Sequence, residues 1–117
     1  MRYNSVVRNG DFARAYKRGK SFVHPHIVLY VNKNRCGYTR VGITCSKKVG
    51  NAVTRNRAKR VIRSALYVVL PVDIGGLDVV LVARGQTPRL KSTQLAATLQ
   101  KLFLQAGILQ PKEEPLQ

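Results

Sequence analysis

His24 and His26 flank Pro25, cysteines stand at Cys36 and Cys45, and Asp73 and Asp78 bracket a Gly-Gly pair. These are the side-chain types from which an active site or a metal centre could be built. A metal-dependent nuclease holds its ions with clustered carboxylates. The other acids, Asp11, Glu113 and Glu114, lie toward the ends of the chain, and Asp73 and Asp78 read more plainly as a turn residue and a strand end. His24 or His26 could act as a general base, although strand-edge histidines in contact with solvent are the commoner case. Cys36 and Cys45 with His24-x-His26 lack the CxxC-type spacing of a zinc site. Val49-Gly50-Asn51 lacks the Gly-Lys-Ser/Thr ending of a phosphate loop. No catalytic residue and no metal ligand is assigned on these spacings.

The basic residues make a stronger pattern. The chain carries 21 Lys+Arg against 5 Asp+Glu, a formal charge of +16. Between Phe12 and Val72 there is no acid and there are fourteen basic residues. Like charges without counter-charges repel one another in a compact state, so such a surface is suited to a polyanion, nucleic acid first. A solvated helix face would be expected to intersperse Glu or Asp. Anionic membrane is the other acceptor, but no long basic amphipathic helix carries the Trp or Phe face that membrane binding favours. Phe12 and Tyr16 are four apart, hence on one helical face, and Tyr30 points from one side of a strand. Unpaired bases stack on such rings at about 1–3 kcal/mol each. Taken alone, the same rings also read as core.

The elements that must position these residues follow from periodicity. Gly10-Asp11 opens a short helix with Asp11 as N-cap, running to Arg18 and stopped by Gly19. His26–Asn32 and Thr39–Cys45 are rich in β-branched residues and read as strands, joined by a turn-like Asn32–Gly37 segment. Ser21–His24 adds a short strand. After the basic loop Ser46–Gly50, Asn51 caps a helix in which Thr54, Ala58, Val61, Ile62, Ala65, Leu66 and Val69 form one apolar face. Asn56, Arg57, Lys59, Arg60 and Arg63 occupy the opposite arc, with Arg55 near the boundary. The guanidinium-rich arc suits bidentate contact with phosphate oxygens, and the helix N-terminus favours anions. Leu77–Ala83 is a near-continuous apolar run, as in a strand buried on both faces. Ser92 is the expected N-cap of a closing helix that turns Leu95, Leu99, Leu102 and Phe103 inward and stops at Gly107.

The order is α-β-β-β-α-β-α, one sheet with helices packed on it, an α+β domain of the two-layer sandwich type. A length of 117 residues with 44% hydrophobic content fits a single domain over 1–117 with a real core. Residues 1–9 and 109–117 are expected to be loosely held. The start of the chain lacks the apolar stretch of a signal peptide, and Ser64–Val72 falls short of the roughly 20 residues of a membrane span. The expectation is a soluble, cytoplasmic protein.

Arg40-Val41-Gly42-Ile43, Ser46-Lys47-Lys48-Val49-Gly50-Asn51-Ala52-Val53 and Arg55-Asn56-Arg57-x-Lys59-Arg60-Val61-Ile62-Arg63 closely resemble the signature of the bacterial ribonuclease P protein component. Asp11-Phe12 with Tyr16 and Gly19, the Ile27–Val31 strand, and Val79–Ala83 followed by Arg84 extend the resemblance over most of the chain. It implies a protein cofactor for a catalytic RNA that removes the 5′ leader from precursor tRNA. The RNA subunit performs the magnesium-dependent hydrolysis. The protein binds that RNA near its catalytic core, grips the single-stranded leader and strengthens metal-assisted substrate binding.

Carried over residue by residue, Lys47, Lys48, Asn51, Arg55, Asn56, Arg57, Lys59, Arg60 and Arg63 fall where the family meets the catalytic RNA. Phe12, Tyr16 and Tyr30 fall in its leader cleft. The resemblance also implies a mixed central sheet with a left-handed βαβ crossover, where general rules give a right-handed one. It implies a monomer in a complex of one protein and one RNA, with no membrane partner. No cofactor is bound by the protein alone, magnesium being held mainly by the RNA subunit and the substrate. Three departures stand out: Tyr16 where Phe is common, Ala58 in place of a larger aliphatic, and an uncharged Ser64–Val69 after Arg63. Two rival readings remain at this point. A ribosomal protein would share the size, charge and mixed layout, and a small nuclease using His24 or His26 would cleave RNA unaided.

Overall fold

In the computed structural model, which describes residues 4–5, 9–35, 37–69 and 75–107, each long apolar periodicity becomes one element. The chain runs through β1 (Asn4–Ser5), α1 (Asn9–Arg18), β2 (Lys20–His24), β3 (Ile27–Lys33), β4 (Arg40–Thr44), a 3-10 turn (Lys47–Val49), α2 (Ala52–Val69), β5 (Leu77–Ala83), a second 3-10 turn (Thr87–Arg89) and α3 (Ser92–Gln105). The sheet order is β1-β4-β5-β3-β2. β4 and β5 are parallel neighbours joined through α2, a βαβ crossover, while β3 pairs antiparallel with both β5 and β2. This is the expected α+β class with a mixed sheet.

Strand residues alternate between two faces. Ile27, Leu29, Val41, Val79, Leu81 and Ala83 point to one face, where they meet Ala58, Ile62, Ala65 and Leu66 of α2 and Leu95, Leu99, Leu102 and Phe103 of α3 in one buried cluster. Leu77–Ala83 is central and largely buried, as its near-continuous apolar run implies. Tyr30, Val80 and Gly42 lie in register on the other face. There α1 packs against β3 and β5, and Ala15 and Val80 are fully buried outside the main cluster. The turn from α1 into β2 requires glycine for lack of space. A Cβ on Gly19 would stand 2.5 Å from the Ala15 carbonyl oxygen and 2.8 Å from that of Val31. Gly107, at φ 75°, ends α3 as expected.

Several sequence expectations need correction. Asn4–Ser5, expected among loosely held residues, pairs parallel with Arg40–Val41 as a fifth, edge strand. Two residues are too few to show a period of two. α1 starts at Asn9, so Asp11 is helical and not the N-cap. An acidic residue type suits a first turn as well as a cap. Lys91, not Ser92, caps α3: its N–H donates to Gln94 Oε1 at 2.9 Å, and its carbonyl accepts from Gln94 and Leu95. The cap is thus built from the reaching glutamine, and no hydroxyl is needed. His26 belongs to the tight β2–β3 turn, so β3 starts one residue later than expected, and β4 is shorter by one at each end. Cys36, Leu70, Asp73 and residues 109–117 lie outside the described residues.

Candidate nucleic-acid interface

Asn51 caps α2 as predicted: its Oδ1 accepts the Thr54 N–H at 2.9 Å, and its carbonyl accepts the Arg55 N–H at 2.9 Å. The cap fixes where the first turn starts and therefore which residues face outward. Asn56, Arg57, Arg60 and Arg63 are exposed on one arc, while Ala58, Ile62, Ala65 and Leu66 are buried on the other. Arg55 and Lys59 differ from the rest. Both are half-buried, and their positive charges act on Cys45, just past the end of β4. Burial nevertheless pushes the Cys45 thiol up, against the pull of Lys59 and Arg55, so this free cysteine is held as the neutral thiol. The Arg55 Nε is buried without a hydrogen-bond partner. Lys59, placed by helical spacing on the open arc, is therefore less open than its neighbours.

Lys47 and Lys48 are exposed on the 3-10 turn between β4 and α2. Because β4 and β5 are parallel, this turn and the start of α2 sit at the carboxyl ends of both strands. A 470 Å³ cavity opens there between Gly50, Val53 and Thr54 on one side and Pro88 on the other, with Arg57 and Arg89 on its wall. A neighbouring cavity of 290 Å³ takes Arg57 and Arg60 with Ser64 and Ser92. Sequence reasoning passed over Arg89. It stands alone beside Pro88, and only the second 3-10 turn carries it to the basic end of α2.

The three rings come together. Phe12 and Tyr16 have centroids 6.4 Å apart, and Tyr16 meets Tyr30 edge-on at 4.9 Å and 70°. Tyr16 keeps 42% of its surface exposed, and Phe12 and Tyr30 are half-buried. They do not belong to the core cluster, which lies on the other face of the sheet. The rings and the α2 arginines thus stand on opposite faces of the sheet.

The remaining chemistry-bearing residues are tied up in the framework. Asp78 is 3% exposed and binds Arg40 bidentately, Nε to Oδ1 at 2.8 Å and a terminal guanidinium nitrogen to Oδ2 at 2.7 Å. Asn34 Nδ2 adds a third bond to Oδ1 at 2.8 Å. This carboxylate is a lock between β4, β5 and the β3–β4 turn. His24 and His26 meet edge-on at 4.6 Å. Burial first, then the charges of His26 and Lys101, hold the His24 imidazole below its ordinary pKa. Its Nδ1 accepts the His26 N–H at 3.0 Å, and His26 Nδ1 bonds the Thr98 hydroxyl at 2.8 Å. Among the described residues, no three of His, Cys, Asp and Glu gather where they could hold a metal ion. Nor is any described helix long and apolar enough to cross a membrane.

Comparison with known proteins agrees with this layout. The Ribonuclease P family model matches residues 1–107. A ribonuclease P protein component of Clostridium botulinum (strain Loch Maree) is 39% identical over 109 residues, covering 92% of this chain and 98% of the relative. That of Clostridioides difficile (strain 630) is 44% identical over 84 residues, covering 71% and 74%. Among solved structures, an RNase P protein from Staphylococcus aureus is 33% identical with a TM-score of 0.78, covering 91% of this chain and 97% of that one. The RNase P protein from Thermotoga maritima is 28% identical with a TM-score of 0.70, covering 85% and 94%.

Proposed function

The chain belongs to the ribonuclease P protein family, and on that premise we propose that it is the RNA-binding cofactor of a ribozyme that matures tRNA 5′ ends. Hydrolysis is performed by the RNA subunit, with magnesium held by that RNA and the substrate. The protein's part is to neutralise phosphate charge and to seat the unpaired leader, in the cytoplasm, as one protein on one RNA. Lys47, Lys48, Asn51, Asn56, Arg57, Arg60 and Arg63 face the catalytic RNA, with Arg55 and Lys59 at the border of that contact. With its Oδ1 engaged in capping α2, Asn51 has its amide N–H groups to offer phosphate oxygens. Phe12, Tyr16 and Tyr30 stack leader bases.

The observation that supports this reading best is the run of three touching rings that stays open to solvent on the face of the sheet away from the core. A ring cluster with only a packing role would be closed over. Reconstitution tests it: purified protein, catalytic RNA and precursor tRNA at low magnesium, each omitted in turn. Cleavage is expected from the complete mixture and none from the protein alone. Phe12→Ala or Tyr30→Ala should weaken precursor tRNA by about 1–3 kcal/mol and mature tRNA far less. Equal losses for both would make the rings core residues. Cleavage by protein alone that His24→Ala or His26→Ala removes would make the chain a nuclease. Tight ribosomal RNA binding without leader dependence would make it a ribosomal protein.

A further inference from the structure

We propose a second seat for the leader strand, beyond the rings and remote from the α2 arginines: the cavity where Arg18, Lys33 and Arg35 converge beside the Arg40–Asp78 pair, which takes the phosphodiester backbone. It rests on the leader reading above and extends it to a different part of the molecule.

The topology sets the place. Lys47, Lys48 and the start of α2 stand at the carboxyl ends of β4 and β5. Arg40 and Asp78 stand at the opposite ends of those strands, level with Asn32 and Lys33 at the end of antiparallel β3. α1 runs toward this second end, Phe12 first, then Tyr16, then Arg18. The cavity measures 590 Å³ and is walled by Arg14, Arg18, Asn32, Lys33, Asn34 and Arg35 around the Arg40–Asp78 pair. Asn32 is two residues past Tyr30 and on the same face, about 6.6 Å farther along the strand. A single strand that leaves the Tyr30 ring in that direction enters the cavity next.

Among the described residues, positive charge dominates there. Among the described residues, Asp78 contributes the cavity's one carboxylate, and its oxygens are taken by Arg40 and Asn34. The pair is neutral. Arg18, Lys33 and Arg35 are exposed, and among the described residues none of their side chains has an ion pair or hydrogen bond. Two guanidinium groups and an ammonium around a polar hollow suit phosphate oxygens. Among the described residues no aromatic ring lines the cavity, so it lacks the ring platform on which a base stacks at the other seat. The contact is therefore with backbone and indifferent to sequence.

The test uses the reconstituted holoenzyme with two precursor tRNAs, one with a leader of about three nucleotides, one per ring, and one with about eight. The triple variant Arg18→Gln, Lys33→Gln, Arg35→Gln should weaken the long-leader substrate roughly tenfold and leave the short-leader substrate and mature tRNA within twofold. The log–log salt slope for the long leader should also become shallower by about 0.7 for each phosphate released. The single reversal Lys33→Glu should act in the same direction, and unchanged short-leader cleavage reports that both variants are folded. An equal loss on every substrate would overturn the proposal, because the cations would then serve the catalytic RNA or the tRNA body. No loss on any substrate would overturn it in favour of another occupant, such as an acidic protein segment. If Phe12→Ala still separates the long leader from mature tRNA in that case, the ring reading survives and only the second seat fails.

Discussion

Arg40 opens the signature that carries the family resemblance, and a basic residue in a ribonuclease P protein invites a role in RNA contact. The structure gives it a different one. Its guanidinium is bonded at two points to a carboxylate that is 4% exposed, while the arginine side chain itself is 16% exposed. Removing one partner of such a pair leaves an uncompensated buried charge. Asp78→Asn is therefore expected to cost roughly 3–5 kcal/mol, toward the lower figure because Arg40 reaches solvent, and urea unfolding would show it as a lowered midpoint. Replacing both partners with apolar residues of similar size should recover much of the loss. An Asp78→Asn midpoint equal to that of the parent would show that the pair holds nothing together. What a residue pattern conveys is accordingly uneven. The sequence shows that Asp78 has only Asp73 as an acidic neighbour, with no third acid near enough to complete a metal site. It does not show that Arg40, 38 positions earlier, will spend its charge on that carboxylate, because the pairing exists only once β4 and β5 lie side by side. The half-burial of Arg55 and Lys59 was illegible for the same reason: helical spacing gives an angle around the axis, not the position of Cys45 beside it.

Elements were legible in proportion to their length. The 18 residues of α2 repeat their apolar spacing over several turns, and the seven of β5 are almost wholly apolar, so each was placed close to its true bounds. β1, with two residues, has no period to read and depends entirely on its partner strand. Caps fall between these cases. Asn51 was legible because its own side chain makes the bond, whereas the α3 cap depends on Gln94 reaching back to a lysine backbone. The Asn51 cap also separates two roles that one residue can hold. Asn51→Ala should lower stability by about 1 kcal/mol, seen as a drop in thermal midpoint. Asn51→Ser keeps a capping oxygen and should restore most of that stability. If catalytic-RNA affinity falls with the serine variant while the midpoint holds, the amide itself touches RNA; if both are retained, Asn51 acts only by fixing the first turn of α2.

Across the whole molecule, the basic residues and rings suggest one continuous surface, and the fold divides it between two faces of the sheet. α2 lies with α3 on the core face, and α1 with its rings lies on the other. The carboxyl ends of β4 and β5, where Lys47, Lys48 and the start of α2 gather, are where an RNA partner can pass from one face toward the other. A charge of +16 spread over both faces acts on the free protein and on the complex with opposite sign. In the free protein these charges repel one another and oppose the compact state. Added salt screens them over a Debye length of about 10 Å at 0.1 M, so the thermal midpoint should rise as sodium chloride goes from roughly 50 to 200 mM. In the proposed complex with RNA, the same charges would displace counterions from phosphate. Affinity for precursor tRNA and catalytic RNA should therefore fall over the same range, at a log–log slope approaching −0.7 to −0.9 per neutralised phosphate. Measuring both quantities on one preparation distinguishes the causes. A protein held together by surface ion pairs would lose stability and affinity together, and one that binds by shape alone would keep its affinity. A midpoint that rises while affinity falls is the outcome expected of a surface whose positive charges find their partners on RNA.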